Sequence, residues 1–81
     1  MNFELEDLYA ILRDVLGLRR FEFRPEMSAE DVPGWDSMNH TVLLMEIESR
    51  TGVELSASET VDLPNIAALR SLILERLATS D

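Results

Sequence analysis

The chain has 81 residues and no cysteine, and its 16 acidic and 7 basic residues give a net charge of −9 at neutral pH. This length predicts one domain spanning residues 1–81, and helical packing is the usual way for so short a chain to bury enough apolar surface. The lack of cysteine excludes a disulfide framework and a thiolate nucleophile. The acidic charge disfavours nucleic acid and anionic lipid as partners; it favours basic protein surfaces or simply provides solubility.

Apolar residues make up 46% of the chain, which argues against disorder. The longest apolar runs are too short to span a bilayer, so we expect no membrane insertion. The first residues are acidic and lack the basic start of a signal peptide, which predicts a cytoplasmic protein.

The first predicted helix runs from about Glu4 to Leu16 and ends at Gly17. Apolar side chains recur there with a helical period and share one face, namely Leu5, Leu8, Tyr9, Ile11, Leu12, Val15 and Leu16. Residues 18–36 show no sustained period and predict a long loop. Within that loop, Ser28-Ala29-Glu30-Asp31 could form a single helical turn.

A turn and a helix start follow each other in the stretch Val32–His40. Pro33-Gly34 predicts the turn, and Asp36-Ser37 before an apolar run predicts the start of a second helix, which runs to about Thr51. This arrangement places the Ser37 hydroxyl at the positive end of a helix, which suits a residue that receives a phosphate.

The second helix carries two apolar stripes. Leu43, Leu44 and Ile47 form one stripe, with His40 on the same arc. Met38, Val42 and Met45 form the other stripe, roughly opposite. A peripheral helix buries only one stripe and would leave the second as a binding surface, whereas a central helix buries both. Periodicity alone does not decide between these interpretations.

Two further helices are predicted in the last third of the chain. The pattern Ser56-Ala57-Ser58-Glu59 is a capping box and opens a short helix through about Asp62. Asn65 caps a final helix from Ile66 to about Leu77, with residues 78–81 as a frayed tail. Its predicted inward side chains are Ile66, Leu69, Leu72, Ile73 and Leu77. The chain is therefore predicted to be all-α, a small four-helix bundle of three main helices and a short third helix, with a long loop between helices one and two.

The residues offer little support for catalysis or metal binding. His40 is the only histidine, and no Gly-x-Ser-x-Gly pattern accompanies a serine. We therefore expect His40 to be a partly buried, hydrogen-bonded residue and predict no catalytic residue. Asp36, Glu46 and Glu48 match no calcium-loop pattern, so we predict no metal site.

The segment Trp35-Asp36-Ser37-Met38-Asn39-His40, followed by Leu43, Leu44, Met45, Ile47, Glu48 and Gly52-Val53, resembles the acyl and peptidyl carrier protein family. The resemblance covers nearly the whole chain. It implies that Ser37 carries covalent 4′-phosphopantetheine, derived from coenzyme A. It also implies that Asp36 helps a phosphopantetheinyl transferase and its magnesium engage the carrier. The implied partner-docking surface consists of Met38, Val42, Met45 and Glu46.

The resemblance implies a monomeric, non-catalytic carrier whose cofactor thiol holds acyl groups as thioesters in fatty-acid, polyketide or related secondary-metabolite biosynthesis. Its partners would be the transferase, an acyl- or aminoacyl-loading ligase, and synthase or transferase enzymes with basic docking surfaces. Two alternatives stay open: an aminoacyl or D-alanyl (peptidyl-type) carrier, and an unmodified carrier-like structural subunit. Val42, Ser49 and Arg50 occupy positions that are often acidic in fatty-acid carriers. This departure favours a discrete carrier with dedicated partners, in secondary metabolism.

Overall fold

The computed structural model describes residues 3–79. Within this range the chain forms α1 (Leu5–Leu16), α2 (Ser37–Thr51), α3 (Ala57–Thr60) and α4 (Ile66–Thr79), with a 3₁₀ turn at Ala29–Asp31. The described residues contain no strand, and none of their helices is both long and apolar enough to cross a membrane. The prediction of a small all-α bundle with a long first loop is confirmed.

The core is built from the three long helices. Its least exposed side chains are Leu8, Ile11, Leu12, Leu43, Ile47, Ile66 and Ile73. Burial of each such side chain is worth about 2 kcal/mol, so this cluster is the main source of stability. One predicted core position is wrong in part, because Leu72 is only half-buried whereas Leu74 packs against the core.

The loop between α1 and α2 is packed down by its own side chains. Phe23 is buried and stacks on Tyr9 of α1, with 5.4 Å between the ring centroids. The Arg13 guanidinium lies 5.4 Å from the centre of the Phe23 ring and donates to the Phe21 carbonyl oxygen at 3.3 Å. These contacts hold the loop against α1, so that its last residues reach the start of α2 along a defined path.

The same loop also holds the start of α4. The backbone N–H groups of Ile66 and Ala67 donate to the carbonyl oxygens of Met27 and Pro25, each at 2.9 Å. The Asn65 side chain accepts from the Ala68 N–H at 2.8 Å, as the predicted cap requires. Three N–H groups that a helix start leaves unpaired are thereby satisfied.

Two helix ends differ from the prediction. Helix α3 ends at Thr60 rather than at Asp62, because the last helical bond runs from the Val61 N–H to the Ala57 carbonyl and the Leu63 N–H then closes a tighter turn onto the Thr60 carbonyl. Helix α4 continues through Thr79, whose hydroxyl donates to the Glu75 carbonyl at 3.2 Å. Ala78 and Thr79 are therefore helical, and the rest of the predicted frayed tail, residues 80–81, lies outside the described residues.

Candidate functional site

The predicted turn and helix cap lie together at the start of α2. Gly34 adopts a φ of 80°, a backbone conformation that glycine accepts without strain, and its carbonyl oxygen accepts from the Asp36 N–H at 3.0 Å. Asp36 is the N-cap, and its Oδ1 accepts from the Asn39 N–H at 2.8 Å. Ser37 is the first helical residue. The helix start predicted at Asp36-Ser37 is confirmed.

The Ser37 side chain is exposed, and no group within residues 3–79 hydrogen-bonds its hydroxyl. The N–H groups of the first turn that remain unpaired, together with the dipole of this 15-residue helix, make the surroundings electropositive. An oxygen in this position is accessible for modification, and a phosphate ester formed on it would be stabilised by the helix start.

His40 occupies the next turn of the helix and has both ring nitrogens engaged. Trp35 Nε1 donates to His40 Nδ1 at 3.0 Å, and His40 Nε2 lies 2.7 Å from Thr60 Oγ1. Because the indole N–H can only donate, Nδ1 must be unprotonated, and the proton of the neutral ring lies on Nε2. Burial lowers the pKa of His40 below its ordinary value of 6.5.

These contacts confirm the expectation that His40 is a partly buried, hydrogen-bonded residue. They also separate it from Ser37, because neither ring nitrogen is free to accept the proton of the serine hydroxyl. Sequence reasoning did not find Trp35 and Thr60 as its partners. Thr60 is 20 residues away, on a different helix, so no local pattern could have paired it with His40.

A cleft of about 350 Å³ opens beside Ser37. It lies among the first loop and helices α2, α3 and α4, and Trp35, Val61, Leu63 and Leu69 give it an apolar lining. His40 and Thr60 contribute its polar wall. A flexible group attached at Ser37 would have this apolar space next to it.

The second apolar stripe of α2 is exposed. Met38 is 77%, Met45 66% and Val42 44% exposed, whereas Leu43, Leu44 and Ile47 of the first stripe are buried. We call Met38, Val42 and Met45 the α2 strip. It begins directly after Ser37, and of the two interpretations the one with an exposed surface is correct. Sequence reasoning missed Val61, which is 68% exposed at the end of α3.

Glu46 lies beside the α2 strip but is already paired. Arg50 Nε donates to Glu46 Oε1 at 2.9 Å, and Arg50 Nη2 donates to Asp14 Oδ2 of α1 at 2.8 Å. The hydrogen bonds that Arg50 donates to Asp14 and Glu46 raise its pKa. The i to i+4 spacing of Glu46 and Arg50 is a sequence signal for such a pair. Glu46 is the charged member of the predicted docking residues, and Arg50 already neutralises its charge within the molecule.

No group of three or more metal-binding side chains is assembled within the described residues. Asp36, Glu46 and Glu48 do not form such a group. The chemistry of the site thus rests on the exposed hydroxyl, the helix start and the apolar cleft.

Residues 6–73 match the family described as the phosphopantetheine attachment site. The chain belongs to this family. It is a carrier domain, and its cofactor is covalently attached 4′-phosphopantetheine. The resemblance to carrier proteins drawn from the Trp35–His40 segment is thereby confirmed.

Among curated relatives, the carrier is 37% identical over 70 residues to the non-reducing polyketide synthase adrD of Penicillium rubens and 34% identical over 70 residues to the protein of the same name in Penicillium roqueforti. The matches cover 86% of this chain but only 3% of each relative. The carrier therefore spans a small fraction of the length of these synthases. No solved structure gives a significant match.

The start of α2 fits a covalent phosphate ester of the family's kind. The Ser37 hydroxyl is exposed, the unpaired N–H groups at the helix start suit a phosphate, and the cleft beside them is large enough for part of a flexible arm. When bound, the cofactor supplies a terminal thiol on a long flexible chain.

Proposed function

We propose that the protein is an acyl carrier, in which Ser37 holds 4′-phosphopantetheine and the cofactor thiol carries an acyl intermediate of polyketide type. The observation that carries this proposal is the exposed, unpaired Ser37 hydroxyl at the start of α2, inside the segment that matches the family. The polyketide assignment is supported by the two synthase relatives. Residues 1–81 would act as one carrier domain without catalytic activity of its own.

Attachment at Ser37 is tested by incubating the protein with coenzyme A and a phosphopantetheinyl transferase of broad specificity, followed by intact mass measurement. We expect a gain of one phosphopantetheine in the wild type and none in Ser37→Ala. Ser49→Ala is the matched control, because Ser49 is also exposed on α2 but lies three turns away, and it should be modified fully. An unmodified wild type would favour the structural-subunit alternative, and a modified Ser37→Ala would refute the site.

We propose that Asp36 helps the transferase and its magnesium engage the carrier. Its carboxylate is exposed, and only one of its oxygens is used in the helix cap. Asp36→Asn keeps the cap and removes the charge, so it should slow modification with little change in stability. Asp36→Ala removes both and should also cost about 1 kcal/mol of stability.

The α2 strip, with Glu46 at its edge, is proposed as the surface that docks the loading enzyme and the synthase enzymes. Three exposed apolar side chains in a row beside the attachment residue give this surface its affinity. The net charge of −9 would steer the carrier toward basic docking surfaces, and weak docking would allow one partner to replace another.

The cargo class is tested by loading the modified carrier. Acyl-coenzyme A donors with an acyltransferase should give an acyl-carrier mass, whereas amino acids with adenylating enzymes should not. Efficient aminoacyl loading alone would replace the acyl assignment by the aminoacyl alternative.

A further inference from the structure

Two neighbouring side chains of α2 reach back to the turn that precedes Ser37. Asn39 Nδ2 donates to the Gly34 carbonyl oxygen at 2.7 Å, and the His40 ring accepts from Trp35 Nε1 at 3.0 Å. The indole and imidazole rings lie nearly parallel, with 20° between their planes and 6.1 Å between their centroids. The backbone of the Pro33–Trp35 turn and its one large side chain are therefore each tied to the helix.

His40 passes this restraint on to α3. Its Nε2–H donates to Thr60 Oγ1 at 2.7 Å, and the Thr60 hydroxyl in turn donates to the Ser56 carbonyl oxygen at 3.1 Å. Thr60 is only 4% exposed, so this end of the chain of hydrogen bonds is sheltered from water. All three bonds point the same way, from Trp35 toward Ser56, and they connect the turn, α2 and α3.

Within residues 3–79 no group hydrogen-bonds the exposed Ser37 hydroxyl, and the exposed Asp36 side chain is held only by its cap bond to the Asn39 N–H. Their positions depend on the backbone on either side, that is, on the first turn of α2 and on the Pro33–Trp35 turn. An enzyme that must align a hydroxyl with its reacting phosphate is sensitive to displacements of about 1 Å. A turn fixed at two points presents the hydroxyl in one arrangement and spares the enzyme the cost of ordering it.

We propose that Asn39 and His40 are positioning residues for the modification of the carrier: by holding the Pro33–Trp35 turn, they fix the arrangement in which Ser37 is presented to the transferase. This inference rests on the proposed attachment at Ser37. It assigns to His40 a role through Trp35 and Thr60, not through contact with the reacting hydroxyl.

Three substitutions separate the two bonds of His40. In His40→Asn the amide oxygen stands near the position of Nδ1 and still accepts from Trp35. This variant loses only the hydrogen bond to Thr60. In His40→Gln the amide nitrogen stands near the position of Nε2 and still donates to Thr60. This variant loses the hydrogen bond from Trp35. Trp35→Phe keeps an aromatic ring in the turn and removes the N–H.

The test is the kcat/KM of phosphopantetheine transfer at a temperature where circular dichroism shows every variant to be folded. His40→Gln and Trp35→Phe should each lower kcat/KM about tenfold, the loss expected for one hydrogen bond. Their combination should be no worse than either alone, because both break the same bond. His40→Asn, which keeps the bond to Trp35 and loses only the one to Thr60, should lower kcat/KM less than His40→Gln does, and Asn39→Ala should lower it several-fold independently.

Asp14→Ala is the matched control. It removes an exposed contact of α2, the ion pair of Arg50 at the other end of the helix, without touching the turn. It should leave kcat/KM unchanged. Trp35 is the only tryptophan, so in the variants that retain it its fluorescence reports directly whether the turn has changed.

The outcomes distinguish this inference from the proposed function. If the wild type is not modified at all, attachment at Ser37 is wrong. If the wild type is modified but His40→Gln, Trp35→Phe and Asn39→Ala match its kcat/KM, or if the first two losses are additive, the positioning role is wrong. Should His40→Gln fail to fold, Trp35→Phe and Asn39→Ala still decide the question.

Discussion

His40 shows how the role of a single residue depends on its partners. As the only histidine near a candidate serine, it is the residue that a hydrolase hypothesis would need. Its two nitrogens instead bind Trp35 and Thr60. The ring is kept neutral by partial burial and by the Trp35 indole N–H, which can only donate and therefore needs an unprotonated Nδ1. Its environment therefore makes it a structural link between segments.

The lowered pKa of His40 predicts how stability depends on pH. Between its folded-state pKa and the ordinary value of 6.5, the unfolded chain binds a proton that the folded ring does not. The contribution of His40 is therefore fully present above 6.5 and is lost as the pH falls below it. Its partners Trp35 and Thr60 do not titrate in this range.

Urea unfolding of the wild type and of His40→Asn, from about pH 8 down to about pH 5, measures this effect. The advantage in unfolding free energy of the wild type over the variant should shrink as the pH falls below 6.5. Subtracting the unfolding free energy of the variant from that of the wild type cancels the contribution of the carboxylates, which both proteins share. An advantage that stays constant over this range would show that His40 does not titrate differently on folding.

At the scale of the element, α2 performs two tasks on opposite faces. The face with Leu43, Leu44 and Ile47 completes the core, and the α2 strip remains exposed. The charge on its flank is partly cancelled, because Arg50 pairs with Glu46 and Asp14. A docking enzyme would therefore bind this helix mainly through apolar contacts, and the acidic charge of the whole molecule would supply the long-range attraction.

The two faces predict opposite outcomes for neighbouring substitutions. Met45→Glu should change the free energy of unfolding by no more than about 0.5 kcal/mol, since the side chain is 66% exposed, yet it should weaken cargo transfer to cognate synthase enzymes. Leu44→Ala should cost about 2–5 kcal/mol, because it leaves a cavity in the core.

Urea unfolding and a transfer assay on the modified proteins measure both effects. Loss of the fold in Met45→Glu would mean that the α2 strip is part of the core. Normal transfer in a folded Met45→Glu would mean that docking uses another surface.

For the whole molecule, the charge balance sets the response to salt. The chain carries 16 acidic and 7 basic residues, and within residues 3–79 Arg50, Arg70 and Arg76 already pair with acidic side chains. Repulsion among the remaining carboxylates opposes the compact state. Salt should raise the stability by screening this repulsion more than it lowers the stability by weakening the exposed ion pairs, since such pairs contribute little.

Raising sodium chloride from about 20 mM to about 500 mM should therefore increase the Tm by a few degrees at neutral pH. Circular dichroism at a helical wavelength follows the transition. Asp14→Asn, which removes one negative charge together with an exposed ion pair, should respond to salt in the same direction. A Tm that falls with added salt would mean that the ion pairs outweigh the repulsion.

The sequence by itself determined the helices, because apolar spacing, helix caps and the Pro33-Gly34 break are local properties. It also identified the carrier family, since the Trp35–His40 segment and the apolar run behind it lie within one continuous stretch. The helical turn after Ser28, the capping box at Ser56 and the caps at Asp36 and Asn65 were predictable for the same reason. Each such feature involves residues only a few positions apart.

Only the tertiary structure decided which stripe of α2 is exposed and what His40 binds. Periodicity defines the two faces of a helix, but burial depends on which neighbours pack around it, and here α1 and α3 pack against α2 while the α2 strip stays exposed. The contact from His40 to Thr60 spans 20 residues and that from Arg50 to Asp14 spans 36. Such pairs arise from the packing of helices against one another, so the local sequence around either residue does not predict them.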